Sequence, residues 1–105
     1  MNREDAVFRA LADPSRRAIF EQLTRGESAV KDLTARFEIS QPAVSQHLAA
    51  LRSAGLVRER REGRLVYYRV EPKGLRPLVA WIGHYQTFWV DRLANLQRLL
   101  EDMDR

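Results

Sequence analysis

Side chains with usable chemistry concentrate in one stretch, Ser40-Gln41-Pro42-Ala43-Val44-Ser45-Gln46-His47-Leu48-Ala49-Ala50-Leu51-Arg52. Read as a helix, it puts Val44, Leu48 and Leu51 at i, i+4 and i+7 on one apolar face. Gln41, Ser45, Ala49 and Arg52 then share the opposite face, flanked by Pro42 and Gln46. Those types suit a DNA major groove. Glutamine bonds adenine N6 and N7 together, serine is a permissive partner, and Pro42 and Ala49 are apolar enough for thymine methyls. Ser40, at the helix N-terminus, is placed to meet a phosphate. Close behind comes a basic hairpin with Arg58, Arg60, Arg61 and Arg64. Arg60, Arg61 and Arg64 fall near its tip, where a phosphate backbone or a narrow minor groove would be reached. The chemistry implied is recognition of duplex DNA, without bond making.

Charge placement sharpens this. The chain carries 18 basic and 14 acidic residues, a net charge of +4. Residues 1–39 and 71–105 are each balanced, so the whole excess lies in residues 40–70, which hold six arginines against Glu59 and Glu62. A localised basic patch is the electrostatic footprint of phosphate binding.

The elements that must position these residues follow from periodicity and capping. Glu4 to Ala12 carries a helical stripe (Val7, Phe8, Leu11, Ala12), and Asp13-Pro14 then reads as a cap and first helical residue. A second helix runs to about Thr24, with Gly26 as its stop. Ser28 caps a third helix with Val30, Leu33 and Phe37 on one face. Three residues later Ser40 caps the fourth, with Pro42 tolerated in its first turn. That separation has helix-turn-helix spacing. Leu56–Arg61 and Leu65–Val70 alternate as two strands, with Val66, Tyr68 and Val70 on one face. Tyr67 and Tyr68 are expected to pack the hairpin rather than stack on bases. From about Leu75 the chain reads as one long helix to Met103, about 43 Å if unbroken. Leu75, Ile82, Trp89, Leu96 and Met103 recur every seven residues, and Leu93 and Leu100 form a neighbouring row. Such a repeat wants a partner helix.

In order and spacing, Leu11–Phe20 (LADPSRRAIF), Ser40–Leu48 (SQPAVSQHL), Leu51–Val57 (LRSAGLV) and Arg61–Arg64 followed by Tyr67 and Tyr68 resemble the ArsR/SmtB family of winged helix-turn-helix repressors. The resemblance covers nearly all of residues 5–72. It implies a mainly α fold with a small β-hairpin: about five helices and a two-stranded wing in a single domain over 1–105. The helix-turn-helix would occupy 29–54, the wing 56–70 and a C-terminal dimerisation helix 75–103. It further implies a homodimeric repressor binding an imperfect inverted repeat, often in its own promoter. The family's base-contacting places fall on Gln41, Pro42, Ser45 and Gln46, and its wing cation on Arg64.

The resemblance runs out at the sensor. A thiolate metal site of the family would fall on Ala29 and Lys31, which bind no metal. A second, on the last helix, would find only His84 and Asp91, and zinc needs three or four ligands. No metal and no other cofactor is therefore expected, with a His84/Asp91 site between two protomers as the alternative. His47 belongs to the reading-helix motif and is expected to be packed or hydrogen bonded. Ile82, Tyr85, Trp89, Leu93, Leu96 and Leu100 are the expected dimer contacts. Trp81, Tyr85, Phe88 and Trp89 form an aromatic cluster with two compatible readings: packing at that interface, or a pocket for a small organic effector.

Other classes find less support. There is no cysteine, no His–carboxylate pairing at usable spacing and no glycine-rich phosphate loop, so an enzyme is not expected. No apolar run reaches membrane-spanning length and the first residues do not resemble a signal peptide, so a cytoplasmic protein is expected. A winged-helix protein-interaction module without DNA binding is the remaining alternative, which the intact polar stripe disfavours.

Overall fold

The computed structural model describes residues 2–104. Asn2 opens the first helix, α1 (Arg3–Ala12), its Oδ1 accepting from the Asp5 amide at 2.8 Å. Asp13 ends α1 and starts α2 (Pro14–Leu23), its Oδ1 accepting from the Arg16 amide at 3.0 Å. That bond holds the Asp13 carboxyl below its usual range. The two arginines after Pro14 reach back to the open end of α1. Arg17 Nη1 donates to the Leu11 carbonyl at 2.8 Å, and Arg16 Nη1 lies 3.4 Å from that of Arg9. Carbonyls that a helix end leaves without partners are thus satisfied by the next helix.

A two-residue strand, β1 (Ser28–Ala29), precedes α3 (Val30–Phe37), and α4 (Gln41–Ser53) follows after three residues. Ser28 therefore does not cap α3, contrary to expectation. Ala29 stands at that cap with no side-chain bond, because Ser28 is pulled into a sheet opposite Tyr68. The turn between α3 and α4 passes through Glu38 at φ 54°, the one non-glycine residue in the left-handed region among those described.

The wing strands β2 (Val57–Glu62) and β3 (Leu65–Val70) pair antiparallel from Val57↔Val70 to Glu62↔Leu65. They turn through Gly63 at φ 59° and Arg64, with glycine at the position a type II′ turn requires. The sheet order is β1-β3-β2. The two wing strands are thus joined by β1 in a three-stranded sheet; two residues are too few to show a period.

The core is built from α1–α4 and the wing base. Ile19, Leu33, Val44, Leu48, Leu51 and Leu56 are fully buried, with Tyr68 closing the wing side. Leu75, in a 3₁₀ turn (Pro72–Leu75), and Leu78 pack against it. Gly74 of that turn lies so close to Gly55 that any β-carbon would collide with the Gly55 carbonyl. Glu71 N donates to Leu56 O at 2.9 Å and fixes the same junction.

The expected continuous C-terminal helix is broken. It comprises α5 (Arg76–Gly83) and α6 (Gln86–Met103), with His84 and Tyr85 between. Gly83, a weak helix former, stands at the break. Trp81 packs edge-on against Phe8 of α1 at 5.2 Å, which ties α5 to the core. Beyond the break α6 stands off, and none of its residues is buried. The molecule is accordingly elongated, 61 × 32 × 20 Å.

Candidate nucleic-acid interface

Helix α4 presents the two faces its sequence implies. Val44, Leu48 and Leu51 are completely buried, while Gln41, Pro42, Ser45, Gln46, Ala49 and Arg52 are exposed. Ser40 Oγ accepts from the Ala43 amide at 3.2 Å, leaving its hydroxyl proton free to donate to a phosphate. His47 is half-buried, and its Nδ1 has no hydrogen-bond partner among the described residues.

The wing arginines divide by strand face. On one face Glu59 gathers three donors: Arg52 Nη1 at 3.0 Å, Arg61 Nε at 3.2 Å and Tyr68 OH at 2.9 Å. These bonds, from Tyr68 first and then Arg61, hold the Glu59 carboxyl below its ordinary range. The Tyr68 hydroxyl is raised, by burial first and then by that carboxylate. The network links the far end of α4 to the wing. On the opposite face Arg60 bonds Glu27 at 2.6 Å and Glu62 at 2.7 Å, with its guanidinium 4.6 Å from the Tyr67 ring centre. Arg60 lowers the Glu27 carboxyl and is itself raised by both carboxylates. This cation holds the loop before β1 against the wing, and a phosphate would have to compete with two carboxylates for it. Arg64 differs: it sits in the turn itself, exposed and in no ion pair among the described residues.

Gln41 and Arg64 line a common cleft of about 320 Å³ with Lys31 and Thr34 of α3. Lys31 stands in the first turn of a helix whose end has no side-chain cap, a position that favours anions. Sequence reading considered Lys31 only as a failed metal ligand. The signal available was its place one turn into the first helix of the helix-turn-helix.

The same winged architecture recurs in known proteins. The model of the arsR family of bacterial regulatory proteins matches residues 13–59. The HTH-type transcriptional regulator Rv2034 of Mycobacterium tuberculosis is 39% identical over 97 residues, 92% of this chain and 88% of that protein. The chain belongs to the ArsR family. The transcriptional repressor SdpR of Bacillus subtilis is 34% identical over 76 residues, 72% of this chain and 84% of the repressor. A crystal structure of an ArsR family transcriptional regulator superimposes with a TM-score of 0.77 at 31% identity, covering 84% of this chain and 97% of the other. As an ArsR-family member, the protein is a DNA-binding transcriptional regulator with a winged helix-turn-helix fold.

Neither residue at the position of the resemblance's thiolate site carries a metal-binding side chain. Ala29 is buried in β1 and Lys31 is a cation. His84 precedes α6 and Asp91 lies within it, and no group of three or more metal-binding side chains occurs among the described residues of one protomer. The aromatic cluster splits into pairs. Trp81 packs with Phe8 and Tyr85, and Phe88 with Trp89. Trp81 and Trp89 line an apolar cleft of about 530 Å³ between α5 and α6, whereas Tyr85 and Phe88 do not. No helix among the described residues is long and apolar enough to cross a membrane.

Proposed function

We infer that this ArsR-family regulator acts in the cytoplasm as a homodimeric repressor of its own operon, bound to an imperfect inverted repeat. The observation that carries the reading is the uncovered apolar stripe of α6. Trp89, Leu93, Leu96 and Leu100 are 48–63% exposed and follow one another at helical spacing, an exposed apolar stripe of the kind that marks an interaction surface. A second copy covers it best, because a self-complementary stripe is what a two-fold interface needs. Ile82 and Tyr85 extend the contact toward the break, and the α5–α6 cleft seats the partner's arm. The dimer would present two reading helices about 34–36 Å apart, one DNA turn. Gln41, Pro42, Ser45 and Gln46 would read bases, while Ser40, Lys31, Arg52, Arg61 and Arg64 would meet phosphates. Occupied DNA would exclude polymerase sterically. Release answers a signal other than a metal ion.

The test is fluorescence anisotropy on the DNA upstream of the protein's own gene against scrambled DNA of equal length, across a salt series, with mass by light scattering. Tight, salt-dependent preference for the native fragment by a dimer is expected. Equal weak binding to both would overturn autoregulation, and absence of binding at low salt would favour the protein-interaction module.

A further inference from the structure

A second basic concavity lies away from the reading face. A cleft of about 640 Å³ is walled by the start of α1, the far end of α4, the wing base and the entry to α5. Helix α4 is 13 residues long, so its end lies about 18 Å from Gln41. Gly63 and Arg64 sit at the opposite end of the hairpin from Arg58. Four cations from four elements converge here: Arg3 of α1, Arg58 of β2, Lys73 of the 3₁₀ turn and Arg76 of α5. Among the described residues the only carboxylate in the lining is Glu71, already engaged by Arg58 Nε at 2.8 Å. The lining therefore keeps an excess of three positive charges, although residues 71–105 as a whole are balanced. The floor is set without a ligand. Gly74 against Gly55 and the Glu71–Leu56 backbone bond hold Lys73 and Arg76 where they are. The volume is that of a small-molecule site, which spans about 300–1,000 Å³.

We propose that this cleft is an effector site for a small organic anion carrying two or more carboxylate or phosphate groups, and that its occupancy changes operator affinity. One anionic group bridges Arg3 and Arg76. Another meets Lys73 and Arg58, whose bond to Glu71 it shares or displaces. A ligand held this way joins α1 and α5, which carry the arm, to the end of α4 and the wing base, which carry the reading surface. Its differential affinity for two settings of those elements is the coupling free energy between effector and DNA. The regulatory half of the proposal rests on the repressor reading above; ligand binding does not.

The experiment uses citrate and inorganic pyrophosphate as probes, at constant ionic strength, with the full-length protein. Calorimetry without DNA is expected to show millimolar or tighter binding of at least one probe. Lys73→Gln with Arg76→Gln should weaken it about tenfold or more, through lost charge-assisted bonds. Both side chains are exposed, and circular dichroism verifies the fold. Arg64→Ala, which lies at the wing tip, should leave probe binding unchanged. In anisotropy the bound probe should shift operator affinity of the wild type and of Arg64→Ala, but not of the double variant. Failure of both probes to bind, or equal binding to the double variant, overturns the site. Binding without any shift in operator affinity overturns the regulation. A protein that never prefers its operator would sink the repressor reading, while calorimetry still decides the site.

Discussion

Among single residues, Glu59 has the widest reach. One carboxylate holds Arg52 on the reading helix, Arg61 on the wing and Tyr68 at the core boundary. Its pKa is depressed from an ordinary 4.5. A depressed carboxylate stabilises the fold above its unfolded pKa, and that contribution fades as pH falls through the folded value. Glu59→Gln should therefore lower Tm at pH 7 and make the decline below about pH 4.5 shallower than in the wild type; thermal melts across pH 3–7 check this. Arg64 and Gln41 separate affinity from specificity. Arg64→Ala should weaken binding to every sequence alike and reduce the salt slope by about one, read by anisotropy in a salt series. Gln41→Ala should cost about 1–3 kcal/mol of discrimination at one base pair per half-site, measured on single-substituted operators. Unchanged operator preference would move the reading face elsewhere. The exposed place of Gln41 was legible from helical spacing, and that of Arg64 from the glycine-containing turn between two alternating strands. The Arg60–Glu27 pair was not, because Glu27 lies 33 positions away.

Elements were legible where a period or a cap repeats. Asp13-Pro14 and Ser40 cap as their types imply, and the strict alternation of Val66, Tyr68 and Val70 places the wing. The misses have physical causes. Strand β1 is recruited by pairing with β3, a tertiary effect with no local signature. The helix break at His84–Tyr85 falls inside an apolar repeat that continues across it. A seven-residue period records which side chains seek cover, not whether the rod carrying them is straight. The turn between α3 and α4 carries a cost that sequence also hides. Glu38 adopts the left-handed conformation that glycine takes without strain. Glu38→Gly should stabilise the protein by about 0.5–1 kcal/mol, raising Tm by about 2–6 °C in calorimetry. A fall in Tm would show that the side chain, rather than the backbone, matters at this turn.

The whole molecule is a compact reading head with a projecting arm. Among the described residues all the fully buried ones belong to the head, and the arm offers Leu93, Leu96, Leu100 and Met103 to solvent. Leu96→Glu should yield a monomer by light scattering, its head still folded by circular dichroism, with operator affinity reduced about a hundredfold or more through loss of two-site binding. An unchanged mass would move the interface off α6. The arm's exposure also shapes the regulatory circuit. In the proposed dimer, an arm that must find its twin before the operator can be gripped would make promoter occupancy rise with the square of protomer concentration at low copy number. Under the proposed autoregulation, the gene would tolerate the first molecules made and shut down abruptly once protomers begin to meet.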